Sequence, residues 1–259
     1  SIYGFPPIEL IIFTLSGGTL LAVSANVLNQ IFEIETDRLM ERTANRPLVT
    51  GEIKKNSAYI YSILLGVGGF LILYMQTTEL AAFIALLANM FYSFIYTLIL
   101  KPRTNQNIVI GGAAGAAPVL IGWSATGTDL EIGSWLLFLL VFLWTPAHFW
   151  ALSIDKLSDY KDANFPMLPT QESYKRTSIF IGIYSCATVL TSLLLAPILQ
   201  LGFIYLLLAL ISGVYLMYKS YQLFKKQIKA ISYFVFSNTY LAIIFLSMVA
   251  DIYFTLSNI

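Results

Sequence analysis

Two short stretches carry the acidic residues whose spacing could do chemistry. The first is Asn29-Gln-Ile-Phe-Glu33-Ile-Glu35-Thr-Asp37-Arg38, which sets Asn29, Glu33 and Asp37 at i, i+4 and i+8. On a continuous helix these three share one face and spread along about 12 Å of axis. The second is Asp155-Lys156-Leu-Ser-Asp159-Tyr160-Lys161-Asp162, where spacings of four and three place Asp155, Asp159 and Asp162 on one stripe. A regular helix would carry that stripe back through His148 and Trp144, with Pro146 free to distort it locally.

Carboxylate oxygens on two helices suit Mg²⁺, which is usually held by a few carboxylates together with the oxygens of a substrate phosphate. The candidate metal ligands are Asn29, Glu33, Asp37, Asp155, Asp159 and Asp162. The interleaved cations Arg38, Arg42, Arg46, Lys101, Arg103, Lys156 and Lys161 can clamp phosphate oxygens that a metal leaves open. One histidine, His148, and one cysteine, Cys186, cannot build a tetrahedral zinc shell. No Walker loop, dinucleotide fingerprint or Gly-x-Ser-x-Gly elbow is present. The pattern points to a diphosphate at a membrane surface, its apolar tail lying among membrane spans.

The elements that must position these residues are dictated by composition. Of 259 residues, 58% are hydrophobic and 11% charged, with a mean hydropathy of +0.75. Soluble domains carry about 25% charged residues, so an ordinary soluble domain is excluded, as are a disordered chain and a disulfide-stapled secreted module. A net charge of +1 implies no nucleic-acid partner. The 18 Phe, 16 Tyr and 4 Trp suit spans with interfacial belts. A helix needs about 20 apolar residues to cross a bilayer core, and eight segments qualify: 8–28, 58–75, 80–100, 108–125, 134–154, 178–199, 203–218 and 233–256. The fold class is therefore all-α, a polytopic helical bundle in a lipid bilayer.

All 15 Lys and Arg fall in the connections after the first, third, fifth and seventh spans. Positive residues concentrate in cytoplasmic loops, so both acidic stretches are expected on the cytoplasmic face, or the matrix face of a mitochondrion. Both chain ends are then expected on the other side. The chain opens on Ser1 with no basic segment before the first span, and one further span is expected ahead of it. The links leave no room for a second, soluble domain. Residues 1–259 read as a single transmembrane domain of two pseudo-repeats, roughly 1–125 and 126–259, each of the form span, long charged loop, two spans, basic loop, span. Gly111, Gly112, Gly115 and Gly122 suit close helix packing or a flat wall for a planar ligand. The Lys219–Lys229 cluster sets topology or meets anionic lipid.

At these residues the sequence resembles the UbiA superfamily of intramembrane prenyltransferases and, within it, the branch that prenylates haem. The likeness rests first on Asn29-x3-Glu33-x3-Asp37-Arg38, running on through Arg42-Thr43 and Arg46-Pro47-Leu48. It continues in Lys101-Pro-Arg-Thr-Asn-Gln-Asn107, through Gly111, Gly115 and Pro118 to Ile121-Gly122-Trp123. It ends in Trp144-Thr-Pro-Ala-His148-Phe149-Trp150-Ala-Leu, Asp159-Tyr160 and Pro166-Met167-Leu168-Pro169. Glu33 departs from the commoner Asp, keeping a carboxylate on a longer arm. The Asp159-Tyr160 pair belongs to the pattern, whereas Asp155 and Asp162 do not.

The resemblance implies nine spans, of which eight are visible here. It implies transfer of a farnesyl group from farnesyl diphosphate to a vinyl group of haem B, with water adding at the other vinyl carbon to give haem O. Mg²⁺ is the implied cofactor, and Asn29, Glu33, Asp37, Asp159 and Tyr160 the catalytic set. Arg38, Arg42, Arg46, Lys101, Arg103 and Lys156 would bind the diphosphate, and His148 with Trp144 would bind haem. Phe32, Trp144, Phe149 and Tyr160 are candidates to shield an allylic cation. The implied home is a bacterial or archaeal cell membrane, or a mitochondrial inner membrane, with terminal-oxidase assembly proteins as partners. Two rivals stay open: a quinone precursor or chlorophyllide as acceptor, and a transporter with acidic gates. Carboxylates at span ends rather than at the bilayer midplane argue against the transporter.

Overall fold

Inside a bilayer no water can satisfy backbone N–H and C=O groups, so long apolar runs close their hydrogen bonds within helices. The structure, a computed structural model that describes residues 5–256, obeys that rule. Among the described residues, eight helices are long and apolar enough to cross a membrane. The first is α1 (Ile8–Phe32), followed by two single turns, α2 (Ile34–Asp37) and α3 (Pro47–Thr50). The spans α4 (Lys55–Gln76), α5 (Glu79–Met90, extended to Leu100), α6 (Asn107–Ala125) and α7 (Ile132–Asp155) come next. After the short α8 (Leu157–Asp162) and α9 (Leu168–Gln171), the spans α10 (Tyr174–Ile198), α11 (Phe203–Phe224) and α12 (Ala230–Leu256) complete the chain. All eight expected spans are present, their ends shifted by a few residues.

Three local departures from regular helix set where the polar residues stand. At Glu33 the backbone leaves the helical region (φ −104°, ψ 12°), so α1 ends and α2 restarts. The turn is nonetheless kept in register, because Glu33 N–H still donates to Asn29 C=O and Asp37 N–H to Glu33 C=O. At Lys156 a similar break (φ −106°, ψ 34°) separates α7 from α8. The expected stripe from Trp144 and His148 through Asp155 to Asp162 is therefore not one continuous helical face, a correction imposed by this break. The third departure is a widened, π-helical continuation of α5 over Phe91–Leu100. It closes with Lys101 N–H on Tyr96 C=O and with the Thr97 hydroxyl on Tyr92 C=O, both spanning five residues. Such stretches are rare and frequently mark functional sites.

The helices form two units. One comprises Pro7–Leu130 with Lys156–Gln171, so α8 and α9 pack with the helices of the first half. Its tightest packing is α1 on α4. There a Cβ on Gly69 would meet the Gly17 carbonyl oxygen at 2.7 Å, so the backbones approach only because glycine stands at both places. Small residues let lipid-embedded helices pack this closely, where dispersion and polar contacts replace the hydrophobic effect. Ser24 with Ser62 (3.2 Å) and the Asn89 amide on Leu21 C=O (2.8 Å) supply such contacts, each worth about 0.6 kcal/mol on average. The other unit contains α7, α10, α11 and α12. Buried hydroxyls tie it together, including Ser185 with Tyr233 (2.6 Å) and Tyr240 on Ser192 (2.8 Å).

Candidate active site

The end of α1, the break at Glu33 and the widened end of α5 converge on one polar cluster within the first unit. Asn29, Glu33 and Asp37 are all buried, at 7%, 6% and 1% exposure. Asn29 donates from Nδ2 to the Thr97 hydroxyl at 3.1 Å. Glu33 Oε2 accepts from Lys101 Nζ at 2.6 Å, and Asp37 Oδ2 pairs with Arg46 Nη1. Each carboxylate thus has one oxygen bound to a cation. The other oxygens, Glu33 Oε1 and Asp37 Oδ1, are buried with no hydrogen-bond partner. Leaving such atoms unmet is costly, and orphaned buried polar atoms ask for a functional reason.

The local sequence explains the arrangement. The restart at Ile34 keeps Asp37 one turn beyond Glu33, and the Thr43 hydroxyl donates to Asp37 C=O (2.8 Å) to close the next loop. Pro47 begins α3 without needing a donor, which holds Arg46 extended at its N-cap. Lys101 comes directly after the widened turn, and its ammonium also lies 4.6 Å from the Phe165 ring centroid. Asn107 Nδ2 donates to Lys101 C=O (3.3 Å), while its fully buried Oδ1 has no partner. Tyr92 and Tyr96 stack at 5.3 Å on the same widened helix, and both hydroxyls feel the Glu33 charge. Tyr160 is buried on α8, within electrostatic reach of Tyr96. Gly111 faces the Tyr96 ring, where a methyl would collide with ring carbons.

The other expected residues are less buried. Asp159 is half-buried on α8, whereas Asp155, Lys156, Lys161 and Asp162 are exposed. Arg38 pairs with the exposed Glu35 (3.3 Å), Arg42 is exposed, and Arg103 donates to the last carbonyls of the widened helix. Among the described residues, no group of three or more His, Cys, Asp or Glu stands close enough together to hold a metal ion unaided. The six-residue ligand set is therefore not gathered into one cage. What is present fits a magnesium ion that takes most of its oxygens from a phosphate: two buried carboxylates, each with a free hard oxygen.

The second polar focus belongs to the other unit. His148 is buried on α7, its ring stacked between Trp144 (4.2 Å, 21°) and Phe234 (4.0 Å, 23°) with Phe149 edge-on at 5.3 Å. His148 Nδ1 lies 2.7 Å from the Ser237 hydroxyl oxygen, and Trp144 Nε1 donates to Ser237 C=O at 2.8 Å.

Residue type and spacing do not mark Tyr92, Tyr96, Thr97, Phe234 or Ser237. They sit in uncharged apolar runs, and nothing in such a run signals a widened helical turn. Asn107 and Phe165 lie within or beside the recognised motifs, where burial of a polar group at a span end was the available signal.

The model of the UbiA prenyltransferase family matches residues 1–249. A protein of Pseudarthrobacter chlorophenolicus named protoheme IX farnesyltransferase is 41% identical over 255 residues, covering 96% of this chain and 80% of that relative. A solved structure described as digeranylgeranylglyceryl phosphate synthase superposes with a TM-score of 0.78 at 24% identity, covering 97% of this chain and 88% of the other. A UbiA homologue from Archaeoglobus fulgidus, bound to GPP and Mg²⁺, superposes with a TM-score of 0.67 at 16% identity, covering 93% and 88%.

Proposed function

The chain belongs to the UbiA prenyltransferase family, and from that premise we propose that it transfers a farnesyl group from farnesyl diphosphate to a vinyl group of haem B, giving haem O. The likeness to proteins named protoheme IX farnesyltransferase supports this acceptor. The single structural observation behind the diphosphate end is the pair of buried carboxylates, each half-neutralised by a cation and each with one oxygen to offer.

The bond between farnesyl C1 and the diphosphate oxygen breaks, and its electron pair leaves on the diphosphate. The farnesyl carbon bonds one vinyl carbon of haem, and water adds at the other with loss of a proton. Mg²⁺, when bound, neutralises charge building on the departing diphosphate. Glu33 Oε1 and Asp37 Oδ1 would hold it, with Asn29 and Asp159 as further donors. The exposed Asp155 and Asp162 fall outside that set. Lys101 and Arg46 hold their carboxylates in place and can share their remaining donors with phosphate oxygens. Arg38, Arg42, Arg103 and Lys156 line the surrounding loops as a positive approach for the diphosphate. Preorganised charges of this kind contribute about 3–4 kcal/mol of barrier reduction per donor.

Tyr92, Tyr96, Phe32 and Tyr160 are the candidates to stabilise an allylic cation, which needs aromatic faces without a nucleophile. His148 is the candidate axial ligand for the substrate iron, steadied by Trp144. The clustering of every Lys and Arg in alternate connections supports a site on the cytoplasmic face of a cell membrane. The test is to incubate the protein in liposomes with haem B, farnesyl diphosphate and Mg²⁺ and to weigh the porphyrin. A hydroxyethylfarnesyl porphyrin is expected. Haem B left untouched, while a quinone precursor supplied in a parallel incubation is prenylated, would overturn the choice of acceptor.

A further inference from the structure

His148 is the chain's one histidine, and the start of α12 surrounds its ring. Ser237, fully buried, donates its only hydrogen to Phe234 C=O at 2.7 Å. The 2.7 Å contact between Ser237 Oγ and His148 Nδ1 then needs a hydrogen from the imidazole, since two lone pairs at that distance would repel. This contact therefore asks for hydrogen on Nδ1. Stacking by Trp144 and Phe234 on the two faces prevents the ring from turning its other nitrogen toward Ser237.

We propose that Ser237 is a positioning residue that fixes neutral His148 in the Nδ1–H tautomer and leaves Nε2 as a bare lone pair for the iron of a haem substrate. A histidine that ligates a metal almost always donates its other N–H to a fixed partner, which sets tautomer and basicity. Here the partner is a hydroxyl whose own hydrogen is committed elsewhere. The ligand role rests on the proposed haem acceptor; the tautomer does not.

Because this 259-residue chain has one histidine, ¹⁵N-histidine labelling of it in nanodiscs reports His148 alone. The wild type is expected to show a protonated Nδ1 and an unprotonated Nε2. Ser237→Ala should redistribute the tautomers by about fivefold or more toward Nε2–H, Ser237→Thr should restore them, and Trp144→Phe should leave them unchanged. Adding ferric haem should broaden or shift the Nε2 signal in the wild type, and more weakly in Ser237→Ala. A protonated Nε2 in the wild type, or a ratio unaltered in Ser237→Ala, would overturn the proposal. A wild-type tautomer that obeys Ser237 while haem leaves the ring signals untouched would overturn the ligand role, and leave the tautomer control standing.

Discussion

Lys101 Nζ stands 2.6 Å from Glu33 Oε2, two residues 68 positions apart in the chain, and the contact leaves Glu33 Oε1 buried and unpartnered. Arg46 and Asp37 repeat the relationship over a nine-residue loop. Each buried acid thereby has one oxygen paired with a cation while the other stays without a partner. A cation that needs hard oxygens and brings its own phosphate finds two such atoms here.

Glu33→Gln and Asp37→Asn keep shape and remove charge. Each should lower the rate of haem O formation by about 10²-fold or more, and raise the Mg²⁺ concentration needed for half-maximal rate. Initial rates across a magnesium series, with a circular dichroism spectrum to verify folding, check this.

Lys101→Met should be costly for a different reason. It leaves Glu33 buried without its counter-charge, a loss of about 3–5 kcal/mol when a buried pair is broken from one side. Lys101→Arg should recover much of it. Arg38→Ala, which breaks only the exposed pair with Glu35, should change stability by less than about 1 kcal/mol. Thermal unfolding in detergent separates the three.

Thr97 accepts from Asn29 and donates to Tyr92 C=O, so it couples the end of α1 to the widened turn. Thr97→Val strands the Asn29 amide and should cost about 1–3 kcal/mol, with kcat falling more than KM rises. Thr97→Ser keeps both bonds and should behave as the parent. Steady-state kinetics on the two variants decide it.

A methyl at Gly111 meets the Tyr96 ring, while one at Gly122 meets nothing within 4 Å. Gly111→Ala should therefore lower stability by about 1–3 kcal/mol through overpacking and reduce activity, because Tyr96 lies beside Glu33. Gly122→Ala should be neutral in both. Parallel melting curves and rates are the check.

Much of the architecture is readable from hydropathy, because a bilayer admits only closed helices, and the eight apolar runs stand almost where expected. Within the site, Asn29, Glu33 and Asp37 are readable because i, i+4 spacing survives the break at Glu33 through retained hydrogen bonds. The stripe joining Asp155 to Asp159 and Asp162 is less legible, because spacing assumes a continuous axis and the backbone turns at Lys156. The widened turn of α5 is hidden, since Tyr92, Tyr96 and Thr97 look like any other residues of an apolar span. The contacts of His148 with Ser237 and Phe234 join residues 89 and 86 positions apart, which no local pattern encodes.

The most direct measurement is a structure of the protein bound to farnesyl thiodiphosphate, which resists cleavage, with Mn²⁺ replacing Mg²⁺ so that its anomalous signal locates the metal. The ion is expected in direct contact with Glu33 Oε1 and Asp37 Oδ1 and with the diphosphate oxygens. A metal and diphosphate bound elsewhere, with both carboxylates still engaged only by Lys101 and Arg46, would contradict that assignment.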